Sequence, residues 1–253
     1  MLLGLDLGRR PIYATGGTPR VLDVGVVAYT VRRSDRARRA RLIVTAEGVE
    51  LVVPRRMALA EAAELVREKR GWLASQRSRL RRAAAEHPPV RVDHGAQIPY
   101  LGEHLRLSVR VEPGRRRPFV RRTGDALTIS VGSQAGDAVR ETLERWFRER
   151  ARAEITERLD AAAARAGTPY SRLAIRDQRT RWASCSANGT MSFNWRLLLA
   201  PAAVLDYVVE HEVAHLEVPD HSARFWALLA RRLPSYRNAQ RWLRDHGPSL
   251  RLE

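Results

Sequence analysis

The sequence predicts an α+β fold, and three observations carry that expectation. Short alternating apolar runs punctuated by glycine fill the stretch from Val24 to Val131. One helical run, Ala58 to Ala85, interrupts them, and from Asp137 onward long helical periods take over. A chain of 253 residues can hold one large domain or two small ones with ample core. The expected organisation is a flexible tail over residues 1–22, a β-rich part with one long helix over 23–133, and a helical domain over 134–253, divided near Ser133.

In chain order, the tail contains Gly16-Gly17-Thr18-Pro19 and little periodicity. Val27, Tyr29 and Val31 alternate as a strand, Arg41 to Val44 form a second, and Val49 to Val53 a third beyond the Glu47-Gly48 turn. Between the first two lies a basic tip, Arg32 to Arg41. Ala58 to Ala85 is free of proline and rich in Ala, Glu, Arg and Leu, with Ala62, Leu65, Val66 and Leu73 marking a buried side. Four further strands follow at Gln97–Leu101, Leu105–Val111, Pro118–Arg121 and Ala126–Val131, with Arg115-Arg116-Arg117 at a second basic tip. Asp137 to Ala166 is helical, with Leu143, Phe147, Ala151, Ile155 and Leu159 on one side, and Gly167-Thr168-Pro169 stops it. Leu173 to Ile175 reads as a short strand. Arg181–Ser186 and Thr190–Arg196 then flank Asn188-Gly189, a strong hairpin signal. Helices over Ser222–Arg232 and from Pro234-Ser235 to Gly247 close the chain.

The stretch with chemistry in it runs from Pro201 to Trp226. Pro201 suits a first helical position, Val204, Leu205, Val208, Val209 and Val213 give a broad apolar side, and Pro219 should stop the helix near Glu217. On that helix His211 and His215, at i and i+4, share a face and can aim two imidazoles at one metal ion. The stop lets His221 swing back as a third ligand, and three nitrogens with a fourth position open make a catalytic rather than structural zinc site. Glu212 lies beside them, where a carboxylate can take a proton from water on the metal. The His211-to-His221 spacing equals that of the metzincin motif, but Val218 stands where that motif has glycine, so the turn is made by Val218-Pro219-Asp220.

Composition bounds the setting. The single cysteine, Cys185, excludes an internal disulfide and fits a reducing cytoplasm. No run is long and apolar enough for a membrane span, and the start lacks the basic leader of a signal peptide. A formal charge of +17 favours anionic partners, although Lys69 is the only lysine and Arg and Ala abound, as GC-rich coding imposes.

With hairpin, helix and third histidine in view, the chain resembles the YgjP-like metallopeptidase domain family. The residues that carry the resemblance are Arg181-Trp182-Ala183-Ser184-Cys185-Ser186, Asn194-Trp195-Arg196-Leu197, Tyr207-Val208-Val209, His211-Glu212-Val213-Ala214-His215, His221-Ser222, Phe225-Trp226, and Pro234, Tyr236 and Trp242-Leu243. It covers Asp137 to Gly247 well and the front half loosely, through the basic strand pair and the Tyr100-Leu101-Gly102 turn. The resemblance implies a zincin-like fold with a short antiparallel edge sheet, His211, His215 and His221 as Zn2+ ligands, and Glu212 as general base. It also implies an edge strand beside the metal, expected at Met191 to Arg196, that pairs with an extended substrate. The family usually has glycine where this chain has Ala183, and Cys185 is expected to be a packed thiol.

The leading expectation is therefore a zinc metallopeptidase using zinc-bound water, with Arg181, Asn194, Arg196 or Tyr236 contacting substrate or stabilising its oxyanion. A second class keeps the metal and hydrolyses nucleoside triphosphates, as UTP pyrophosphatases of this family do, though no Gly-rich phosphate loop is present. A third is a nucleic-acid-associated protease of the SprT-like kind, working through the Arg clusters.

Overall fold

The computed structural model describes residues 21–23, 28–35, 37–45, 48–132, 136–178 and 181–253. The expected 1–22 tail lies outside them except for Val21 and Leu22, which open a strand, β1 (Val21–Asp23). The fold is α+β, with small mixed sheets in front and helices after them.

One building plan occurs three times. In the first unit, β2 (Ala28–Ser34) is followed by a hairpin of β3 (Arg41–Val44) and β4 (Val49–Pro54). β4 runs parallel to β2 and antiparallel to β3, and two helices follow, α1 (Leu59–Glu68) and α2 (Arg70–Glu86). In the second, β5 (Gln97–Tyr100) flanks β6 (Glu103–Val111), and the hairpin of β7 (Phe119–Thr123) and β8 (Ala126–Val131) sets β8 parallel to β6. The helix α3 (Gly136–Ala166) follows. In the third, β9 (Arg172–Arg176) precedes the hairpin of β10 (Ala183–Cys185) and β11 (Thr190–Asn194), with β11 parallel to β9. A 3-10 turn over Trp195–Leu199 leads into α4 (Ala202–Ala214), and α5 (Ala223–Arg232) and α6 (Tyr236–His246) complete the chain. In each unit an arginine-bearing connection joins the first strand to the hairpin.

Three expectations are corrected. The single helix over Ala58–Ala85 is two, broken at Lys69 (φ −96°, ψ 8°), where Gly71 weakens the helical preference just beyond. The sheet beside α4 is mixed rather than antiparallel, because β9 joins it in parallel. The strand expected at Met191–Arg196 ends at Asn194, and it is the centre of that sheet, in the order β10-β11-β9, so it has no free edge. The parallel partner is remote in sequence, and local patterning cannot reveal it.

Apolar burial divides the molecule elsewhere than near Ser133. One core gathers Val92, Leu105, Ile129, Phe147, Trp195, Leu205 and Leu252, and so crosses that position. A separate core of Tyr29, Leu51, Val53, Val66 and Leu73 belongs to the first unit. The two parts meet where the end of α2 reaches the end of the chain: His87 stacks on His246 at 4.0 Å, and the Ser249 hydroxyl donates to the Ala83 carbonyl at 3.5 Å.

Candidate metal centre

The helix α4 is fixed before any chemistry is considered. Val204, Leu205, Val208, Val209 and Val213 are buried, as their spacing requires. Pro201 caps the helix (φ −55°, ψ 147°) rather than starting it, and the first free amide, Ala202 N–H, donates to the Leu101 carbonyl at 3.2 Å. Leu101 accepts this role with φ at +52°, a left-handed conformation rare outside glycine, while its own N–H donates to Leu198. The β5–β6 turn thus docks the N-terminus of the helix. On its flank, Arg158 donates to Asp206 at 3.0 Å and Arg165 to Glu210 at 2.5 Å, clamping α4 to α3.

The helix stops at Ala214, earlier than the expected Glu217. Val218 N–H still reaches the Ala214 carbonyl at 2.9 Å, and Pro219 holds Val218 out of further helix. His215 caps the end in right-handed helical geometry, so its i+4 relation to His211 survives. Its Nδ1–H donates to the Val218 carbonyl at 3.1 Å, which leaves Nε2 free to ligate. Asp220 caps Ser222 N–H at 3.0 Å, and Trp226 Nε1–H donates to the His221 carbonyl at 3.1 Å, steering the third histidine inward.

The result is one ligand atom from each of His211, His215 and His221, all within 4.8 Å of one another. His211 Nε2 and His221 Nε2 face each other at 3.1 Å. Ligands about 2.05 Å from one tetrahedral ion stand roughly 3.3 Å apart, so this pair matches a shared divalent cation. Burial, with the neighbouring imidazoles, pushes His211 down to about 3 from 6.5, and burial lowers His215 and His221 as well. All three are therefore neutral near pH 7 with lone pairs available. The donor set fits a metal ion.

Glu212 lies on the same helix, 4% exposed, and accepts a hydrogen bond from Cys185 N–H on β10. Burial pushes its carboxyl up to about 8, against the lowering effects of that amide and of the Arg181 charge. The Cys185 thiol is pushed up to about 11 by burial and by the Glu212 charge, so it stays a protonated, packed side chain.

The free edge near this helix belongs to β10. Asn194 N–H donates to the Trp182 carbonyl and Ser186 N–H to the Thr190 carbonyl, so residues 182, 184 and 186 pair inward. The backbone groups of Ala183 and Cys185 therefore point outward. Cys185 N–H goes to Glu212, which leaves the Ala183 N–H and carbonyl and the Cys185 carbonyl on the outer side of the ladder. Ala183 as a whole is buried, at 4% exposure, and Cys185 is half-buried.

The four other expected site residues separate into two pairs. Arg181 is exposed and its charge acts on Glu212. Tyr236 stacks between Tyr207 and Trp226, with centroids at 6.5 and 5.8 Å, and both neighbours also pack against His211. Asn194 and Arg196 are committed inward. Asn194 is fully buried, accepting from Arg196 N–H at 3.1 Å and donating to Gln178 at 2.9 Å. Arg196 is 3% exposed and pairs with Asp177 at 3.1 Å. Sequence reasoning missed the aromatic cradle: Phe225 stacks on His215 at 4.5 Å, and Trp226 lies 5.8 Å from His221. Its signal was available in the helical spacing of Phe225 and Trp226 from His221.

Comparison with known proteins adds a family. A family model described as YgjP-like, metallopeptidase domain, matches residues 38–246. Among solved structures, one similar chain is the metallopeptidase zymogen of Pyrococcus abyssi abylysin, at 23% identity and a TM-score of 0.33, over 35% of this chain and 91% of that one. No curated protein matches.

Proposed function

Because the chain belongs to the YgjP-like metallopeptidase domain family, we propose that it is a zinc-dependent peptidase acting on extended, unfolded segments. The observation that carries this reading is the convergence of His211, His215 and His221 within 4.8 Å, beside the buried Glu212. In it the three histidines hold the ion. When bound, Zn2+ supplies Lewis acidity toward carbonyl and water and a positive charge that favours the ionised form of Glu212. Glu212 accepts the proton of the attacking water and returns it to the leaving amine. The Cys185 amide fixes the carboxylate on one side, so its free oxygen is the one that handles the proton.

The rim of β10 orients the substrate. An extended peptide laid along it meets the Ala183 N–H and carbonyl and the Cys185 carbonyl, and pairing of this kind reads backbone rather than side chains. Most segments of a folded protein have these backbone groups already paired and cannot offer such a strand. Arg181, exposed beside Glu212, is the group placed to stabilise negative charge on the scissile carbonyl.

The experiment pairs metal analysis with two assays. The purified chain should carry one zinc, the His221→Ala variant should lose most of it, and Glu212→Gln should keep it. Unfolded protein should be cleaved by the parent, and the glutamine variant should be slower by about 10²- to 10⁴-fold. Hydrolysis of UTP with no cleavage of unfolded protein would overturn the peptidase reading in favour of phosphoanhydride chemistry. Stoichiometric zinc in His221→Ala would place the third ligand elsewhere.

A further inference from the structure

The second sheet, in the order β5-β6-β8-β7, turns one face to the core and the other outward. Its register fixes what the outer face carries. Ser108, Thr128 and Arg121 form one row across β6, β8 and β7, Arg110 and Phe119 flank Ser130 in the next, and Arg106 lies one step back along β6. The inward rows are Leu105, Leu107, Leu127 and Ile129, all buried; on the outer side Ser130 is buried too, at 2% exposure, its hydroxyl bonded to Glu112.

The middle of this face is low and polar, made of the Ser108 and Thr128 side chains, while Arg106, Arg110 and Arg121 stand exposed around it. None of the strand residues on the face is acidic. The carboxylate at the end of β6, Glu112, is already bonded by Arg115 Nε at 2.8 Å and by the Ser130 hydroxyl. On α3, by contrast, Arg148, Arg150 and Arg158 each bind a carboxylate. Arg106 and Arg121 form no ion pair among the described residues. The face also carries one of the few large apolar side chains left in solvent, Phe119 at 40% exposure, with the Arg115 guanidinium 4.8 Å from its ring centroid. A strand of charge without an aromatic would suit any polyanion. An exposed ring set among exposed guanidinium groups, beside a row of hydroxyls, suits an anion that also brings planar rings to stack.

We propose that this outer face binds single-stranded nucleic acid, with Arg106, Arg110 and Arg121 on phosphates, Phe119 stacked on a base, and Ser108 and Thr128 facing base edges. A sheet face reads single strands because unpaired bases can lie flat on it, which stacked duplex bases cannot. The Arg115–Arg117 tip leads directly into β7 and extends the positive track. The proposal does not depend on the peptidase reading, since no residue of the face belongs to the metal centre.

The test is fluorescence anisotropy of the full, metal-loaded chain with a labelled mixed-sequence single-stranded 20-mer, at a series of salt concentrations. The parent should bind at low salt and weaken steeply as salt rises. Replacing Arg106, Arg110 and Arg121 together by Ala should lower the salt-dependence slope by about 2, from three lost phosphate contacts. Phe119→Ala should weaken binding by about tenfold with the slope unchanged, the signature of lost stacking rather than lost charge. A charge-matched control replaces Arg38, Arg39 and Arg70, exposed on the first unit, by Ala and should stay within about twofold of the parent. These side chains are solvent-facing, and unchanged melting curves and zinc content verify the fold of each variant. Absence of binding at low salt, equal loss in the charge-matched control, or a Phe119→Ala variant indistinguishable from the parent would each overturn the proposal. So would equal binding of a duplex of the same sequence, or binding confined to anionic lipid vesicles.

Discussion

At the scale of single residues, His211 and Glu212 are neighbours whose titrations are driven apart by the same burial. Glu212 moves up from 4.5 to about 8 and His211 down from 6.5 to about 3. In the metal-stripped chain the two oppose each other. Above pH 4.5 the unfolded carboxyl has released a proton that the folded one keeps, so stability declines as pH rises toward about 8. Below pH 6.5 the unfolded imidazole takes a proton that the folded one refuses, so stability declines as pH falls toward about 3. Between 4.5 and 6.5 these two slopes cancel, and the decline toward acid that remains there comes from the lowered His215 and His221. The Glu212→Gln variant should lose the alkaline decline and keep the acid one. Parallel melting profiles for variant and parent from pH 5 to 9 would show that Glu212 is not buried as a neutral acid. At this scale the sequence was informative about the convergence of His211, His215 and His221, because i, i+4 spacing and a proline stop dictate geometry by themselves. It was silent about Asn194 and Arg196, whose polarity suggested a cleft. Only the positions of Gln178 and Asp177 reveal that both are satisfied inside.

At the scale of elements, the edge of the third sheet proposed to meet substrate is β10, because β9 covers the far side of β11. Proline separates the two sides of β10. Ala183→Pro removes an outward amide and Ser184→Pro an inward one that the ladder uses. The first variant should fold, retain metal and lose at least tenfold in cleavage of unfolded protein. The second should lower the melting temperature. Full peptide cleavage by a folded Ala183→Pro variant would remove β10 as the substrate strand. Helix and strand positions were readable along the chain from periodicity, down to the Asn188-Gly189 hairpin. Which strand lay in the middle was not, since β9 and β11 are joined through a hairpin and pair only in the folded chain. The same limit hid the Leu101 contact that seats α4, a long-range bond made by a residue in a conformation its type disfavours.

At the scale of the whole molecule, two apolar cores predict two cooperative units. Leu51 is fully buried in the first-unit core, which contains no residue of the metal centre. Leu51→Ala should cost about 2–5 kcal/mol in that unit alone. In calorimetry the variant should melt its first unit earlier while the transition that responds to added zinc stays in place. A single transition shifted as one would show that the contacts around Ala83 and His87 couple the two cores fully.

The threefold plan also bears on how the protein meets a chelator. Two of its strand-and-hairpin units support helices without a histidine in them, α1 with α2, and α3. The third unit buries Leu205, Val209 and Val213 beneath α4 just as firmly, and its scaffold therefore stands on apolar packing rather than on coordination bonds. Small zinc modules collapse when the ion is withdrawn because the ion is their core. Here withdrawal should silence the site and leave the far-ultraviolet circular dichroism unchanged, and returning zinc should restore it at the speed of binding, with no refolding phase. A bound ion would be a tenant of this architecture, not its keystone.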